Sequence, residues 1–143
     1  MKKRTVFGVL VLMLVLVQAG IAADKEDIQK YFNDTACKVK ATTDPIQKRE
    51  ILNKSLQTMS VALARVERSG LIAQEDRAVI DNFKATLQEK QDELSGSNGY
   101  ERVTDAQLND FSDYVVQDME QAGRYISISL IAALLIVIIL VLL

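Results

Sequence analysis

The side chains that most enzymes use for acid–base and nucleophilic chemistry are scarce in this sequence. Its 143 residues include no histidine and one cysteine, Cys37. Without imidazole, the usual zinc, copper and haem ligand sets and the general base of most catalytic triads are missing. We therefore predict no catalytic residue, no metal site, no cofactor and no small-molecule substrate. The enzymatic alternative is a histidine-independent hydrolase that uses, for example, a serine and lysine pair.

Cys37 is a candidate for a disulfide between two molecules, because a single thiol cannot form an internal one. If the first helix continues past it, its side chain points nearly opposite to the apolar stripe formed by Ile28, Phe32 and Val39. The thiol is then exposed and available for pairing. The alternative is a reduced, semi-buried cysteine near a frayed helix end.

The charged residues do not indicate a nucleic-acid partner. The net charge is −2, and without the three cations at residues 2–4 it is −5, so nothing suggests an electrostatic footprint for nucleic acid or for an anionic membrane surface. Five acids of the C-terminal half are spread around a predicted helix, without the close loop spacing of a calcium site: Asp105, Asp110, Asp113, Asp118 and Glu120. We predict that they form a solvated face.

Residues 1–23 have the three parts of a secretory signal peptide. Three cations at residues 2–4 precede an apolar run from Val6 to Val17, and small residues follow, with cleavage expected after Ala22 or Ala23. The alternative is an uncleaved signal anchor. We therefore predict that the domain after this segment is exported. The short lysine-rich start is typical of bacterial signal peptides.

The second apolar block, Ile126 to Leu143, contains no charged residue, proline or glycine. As a continuous helix it would cover about 27 Å, close to the hydrocarbon thickness of a bilayer. We predict a transmembrane helix over residues 125–143. Ser129 and Ala133 form a small-xxx-small pair, a candidate contact between membrane helices. The alternative is a removable lipid-anchor signal, although the expected polar spacer is missing.

The segment between the two blocks predicts one exported all-helical domain over residues 24–124. Apolar spacing, caps and breakers place four helices at about residues 24–40, 45–68, 73–94 and 105–124. Asp44 and Pro45 mark one helix start, and Thr104 with Gln107 forms a capping-box pattern at another. We expect the last helix to begin near Asp105 and to run unbroken into the bilayer, for about 58 Å.

The strongest periodic signal is a helix-pairing seam with spacings of four, three, four and three, made by Leu52, Leu56, Met59, Leu63 and Val66. It indicates either the inner face of a helical hairpin or an intermolecular coiled coil, and its short length favours the hairpin.

Together these patterns predict an all-α protein, a small extracytoplasmic helical hairpin or bundle whose C-terminal helix continues into a single transmembrane span. The predicted function is a structural, scaffold or accessory role in the cell envelope, and the alternative is a membrane-active or lysis-type protein. The expected partners are the lipid bilayer and an envelope protein or a second copy. The expected location is the bacterial inner membrane, with the helical domain in the periplasm or outside the cell.

Overall fold

A computed structural model describes residues 25–143 except Leu71, so the predicted signal peptide lies outside the described residues. The described chain forms five α-helices and no strand, and the prediction of an all-helical protein is confirmed. Two short 3-10 turns, Gln74–Asp76 and Asp105–Gln107, precede the third and fourth helices. The helices are α1 Lys25–Ala41, α2 Pro45–Arg68, α3 Arg77–Ser95, α4 Leu108–Gly123 and α5 Ile128–Leu142.

The turn between α1 and α2 follows from local chemistry. The Thr42 hydroxyl donates to the carbonyl of Lys38 at 2.7 Å, and a carboxylate oxygen of Asp44 accepts from the backbone N–H of Ile46 at 3.0 Å. Pro45 occupies the first helical position, where its fixed φ suits the helix and its missing N–H has no intrahelical partner to lose. The helix α2 therefore begins where the sequence predicts.

The turn after α3 requires a glycine. Gly96 has φ +77°, and the backbone N–H groups of Gly96 and Ser97 both donate to the carbonyl of Asp92. A Cβ atom on Gly96 would lie 2.9 Å from the Cβ of Arg102 and 3.0 Å from its backbone nitrogen. The returning chain is thus packed directly against the end of α3. The predicted capping box of Thr104 and Gln107 is present before α4.

The first four helices form a ring in which each helix packs against the next, and α4 closes the ring against α1. This is an antiparallel four-helix bundle. The apolar stripe of every member faces inward, so that Phe32 on α1, Leu56 on α2, Phe83 on α3 and Met119 on α4 are at most 1% exposed. Apolar burial of this kind contributes about 1.5–3 kcal/mol per large side chain.

The fifth helix lies outside this ring. It packs mainly along α2, with a smaller contact to α1. Ile131, Leu134 and Ile138 form its inner side and are at most 4% exposed. Its start is near the Gln74–Asp76 turn, since the Ser127 hydroxyl donates to a carboxylate oxygen of Asp76, and its end lies beside Lys54. Helices α5 and α2 are therefore antiparallel.

The prediction of one unbroken helix from Asp105 onward is wrong. Helix α4 ends at Gly123, and a new helix begins after Ser127, whose side chain caps it by accepting from the N–H of Leu130 at 3.2 Å. Between them Ile126 is buried at 1% exposed, so the chain folds back to bury apolar surface instead of continuing outward. Burial of Ile126 and capping by Ser127 together stabilise the break.

The predicted transmembrane helix over residues 125–143 is not found either. Of the helices within residues 25–143, none is both long enough and apolar enough to cross a bilayer. Helix α5 has 15 residues, because the first residues of the predicted span form the turn that separates it from α4.

Candidate interaction surface

The seam predicted for helix pairing lies inside the bundle. Its five side chains are between 0% and 4% exposed: Leu52, Leu56, Met59, Leu63 and Val66. They belong to the core that α2 shares with its neighbours. In this structure they are the inner face of the fold and offer no surface to a second molecule.

Cys37 lies on α1 with its side chain exposed and unbonded to another cysteine. This is the orientation that the helical spacing predicts, opposite to the buried Ile28, Phe32 and Val39. An intermolecular disulfide at this position stays a prediction.

The acidic residues of α4 and its preceding turn keep partly or fully exposed side chains, and three of them also pair with cations of other helices. Asp113 pairs with Lys40 of α1 at 2.6 Å, and this hydrogen bond raises the pKa of Lys40. Asp105 pairs with Arg49 of α2 at 2.8 Å. Asp118 accepts from Lys90 of α3. These acids connect α4 and the segment before it to the other three helices of the ring.

Lys90 is a buried charged residue on α3. Its side chain is 6% exposed and is held between Asp118 and Glu93, the latter at 3.3 Å. Burial acts to lower the pKa of Lys90, but the hydrogen bond to Asp118 and the charge of Glu93 outweigh it and raise the pKa. A raised pKa keeps the ammonium charged and structural, which does not suit a general base.

A second polar cluster joins α1 to α2. The Tyr31 hydroxyl donates to the carbonyl of Ser55 at 2.8 Å, and the hydroxyls of Thr35 and Ser55 are 2.7 Å apart. Burial raises the pKa of Tyr31. The cluster is hydrogen-bonded within itself and therefore stabilises the α1–α2 contact rather than leaving a reactive group free.

Arg49 fixes the segment between α3 and α4. Its guanidinium donates to the carbonyl of Leu94 at 3.3 Å and to that of Val103 at 2.5 Å, besides its pair with Asp105. Sequence periodicity gave no indication of this role, because the partners are more than 40 residues away along the chain.

The surface that distinguishes this molecule is the outward side of α5. Ile128, Ile136 and Leu140, together with Leu143 directly after the helix, are between 52% and 61% exposed. Their spacing of eight, four and three residues places them on one side of the helix. Solvent-exposed apolar side chains grouped in this way mark sites that bind a membrane or another protein.

The predicted membrane-helix contact lies on the same helix. Ser129 is exposed, and Ala133 is half-buried and packs against the core. Their pairing with a second helix stays a prediction. The outward side of α5 carries no charged group, since residues 125–143 contain none.

Within residues 25–143, apart from Leu71, no group of three or more acidic, cysteine or histidine side chains is placed to bind a metal ion. The crevices found there are open. One of them lies between α1 and α4 and is lined by Glu26, Ile28, Gln29, Met119, Glu120, Gly123 and Arg124. No known protein family, curated protein sequence or solved structure matches this chain.

Proposed function

We propose that this chain is a membrane-associated helical accessory protein of the cell envelope, with a scaffold role and without a reaction of its own. The observation that carries the proposal is the exposed apolar side of α5, which lies outside a complete four-helix ring. A helix that is apolar on all sides is expected in a core or in contact with lipid. In this structure only the inner side of α5 packs against the core.

The sequence supports export of the bundle. The basic start and apolar run of residues 1–23 are typical of a secretory signal, so we propose that the helical domain functions in the periplasm or outside the cell. In this setting α5 would hold the bundle at the bilayer, and the polar outer surfaces of α1, α3 and α4 would be available to an envelope protein or to a second copy.

Flotation with lipid vesicles tests the membrane association. The full chain is mixed with vesicles of phosphatidylcholine and phosphatidylglycerol, and we expect it to float with them. The double variant Ile136→Glu with Leu140→Glu should lower the partition coefficient by about 100-fold or more, since each substitution removes an apolar side chain worth about 1.5–3 kcal/mol on burial.

Ile46→Glu is the matched control, because Ile46 is an apolar residue that is 68% exposed and belongs to α2, not to α5. It should bind vesicles like the unmodified chain. Equal binding by the double variant and the control would contradict the proposal. Release of a trapped dye from the vesicles would instead favour a membrane-active or lysis-type protein.

A further inference from the structure

Three cations lie on one side of α2, in a stripe whose middle is buried. Lys54, Thr58, Val61, Arg65 and Arg68 follow one another at spacings of four, three, four and three, which places them on one side of the helix. Thr58 is 7% exposed and Val61 is half-buried. The three charged members are exposed. The total charge of −2 conceals this local excess of positive charge.

This stripe lies beside α5. Lys54, Thr58 and Val61 line an open crevice together with Val141 and Leu142 at the end of α5. Because α2 and α5 are antiparallel, the two arginines of the stripe lie toward the N-terminal end of α5. The cations of the stripe therefore flank the contact between α2 and α5, with Lys54 beside the end of α5 and the arginines toward its beginning.

The neighbouring acids of α2 face elsewhere. Glu67 forms an ion pair with Lys84 of α3 at 2.8 Å. Glu50 lines a different crevice, with Leu94 and Ser95 at the end of α3. Between Lys54 and Arg68 the stripe itself contains no acid that would cancel its charge.

We propose that the face formed by α5 and the cationic stripe of α2 docks on an anionic lipid bilayer, with α5 lying along the surface. The exposed apolar side chains of α5 would enter the boundary between headgroups and acyl chains, and Lys54, Arg65 and Arg68 would contact lipid phosphates. Apolar contact combined with flanking cations is the chemistry of interfacial helices. This inference rests on the proposed function and adds the lipid class and the orientation.

A second copy of the chain fits this face less well than a lipid surface does. In a two-fold symmetric dimer the same patch is buried on both molecules, so that Lys54, Arg65 and Arg68 of both copies would gather at one interface. Like charges placed opposite one another at an interface are unfavourable, whereas anionic headgroups are complementary to the stripe.

The test compares binding of the full chain to vesicles of phosphatidylcholine alone and to vesicles that also contain phosphatidylglycerol. Each cation near an anionic surface contributes about fivefold to partitioning. The triple variant Lys54→Gln, Arg65→Gln and Arg68→Gln should therefore lose roughly 100-fold in binding to the anionic vesicles, with little change on phosphatidylcholine. Raising salt from about 0.1 M to about 0.5 M should weaken binding of the unmodified chain to the anionic vesicles.

Arg65→Gln and Arg102→Gln are the matched single variants, since both arginines are exposed and Arg102 lies in the connection between α3 and α4. We expect about a fivefold loss for the first and no loss for the second. Circular dichroism checks that each variant keeps its helix content, and the salt dependence of the unmodified chain provides a test that needs no variant.

The outcomes separate the two proposals. If the Ile136→Glu and Leu140→Glu variant loses binding while the triple variant and salt change nothing, the role of the cations is overturned and membrane association stands. If the unmodified chain binds neither vesicle, both proposals fail. If the double variant turns a dimer into a monomer in the absence of vesicles and leaves vesicle binding unchanged, a second copy covers this face and the lipid inference is wrong.

Discussion

What determines the buried side of a helix differs between the four-helix ring and the fifth helix. Each member of the ring has an apolar stripe and a polar outer side, so its sequence specifies which side is buried. Helix α5 is apolar on all sides and has no such signal, and its inner side is selected by the surface of α2 and α1 that it covers. The amphipathic pattern therefore determines which sides of α1 to α4 are buried, whereas contacts with the ring determine which side of α5 is buried.

The largest expected effect is in the ring. Phe83 is fully buried on α3, and Phe83→Ala should reduce the free energy of unfolding by about 3–5 kcal/mol, through lost apolar burial and the cavity left behind. Chemical denaturation followed by circular dichroism measures the change. Leu140→Ala is the control at an exposed position and should change stability by less than about 0.5 kcal/mol.

A smaller effect is expected on the inner side of α5. Leu134 is fully buried. If α5 packs on the ring as described, Leu134→Ala should lower the free energy of unfolding by about 2–3 kcal/mol. The exposed Ile136→Ala serves as its control in the same denaturation experiment. Equal and small effects of both substitutions would show that α5 does not pack on the ring in solution.

The junction between the two regions is tested by Ser127→Ala. This substitution removes the hydroxyl that caps α5 and donates to Asp76. We expect the free energy of unfolding to fall by about 1 kcal/mol. Hydrogen exchange should increase chiefly in α5, with α1 to α4 unchanged. Ser129→Ala, at an exposed position within the same helix, should have no such effect.

The smallest effect concerns pH and the α1–α2 contact. Burial raises the pKa of Tyr31, so the unfolded chain releases this proton near pH 10 while the folded chain still holds it. The contribution of Tyr31 to stability is thus present below pH 10 and is lost as pH rises through the raised pKa. Tyr31→Phe should lower the free energy of unfolding by about 1 kcal/mol at neutral pH. It should also make the decline of this free energy above pH 10 shallower. An unchanged alkaline slope would contradict this assignment.

Much of the ring could be predicted from the sequence. Asp44 and Pro45 specify where α2 begins, and the spacing of Leu52, Leu56 and Met59 specifies its buried side. These signals are local, because capping and helical period depend on neighbours within a few residues. The all-helical class followed from them.

The end of the chain could not be predicted in the same way. An uncharged apolar run of this length has the composition of a membrane span, and no helical period within it shows which side is buried. The hydrogen bond from Ser127 to Asp76 joins residues 51 positions apart, so the break before α5 depends on the assembled ring. The cationic stripe is visible in the spacing of α2, but its position beside α5 is not.

The odd number of helices in the described part of the chain has a practical consequence. Ile28 lies close to Gly123, so the start of α1 is at the same end of the ring as the end of α4. Helix α5 then carries the chain back, and Leu142 lies beside Lys54 at the opposite end. A tag or fluorophore attached after Leu143 would thus lie next to the cationic stripe and compete with whatever binds there. A label on the α3–α4 connection, at Ser97 for example, would leave that face unobstructed.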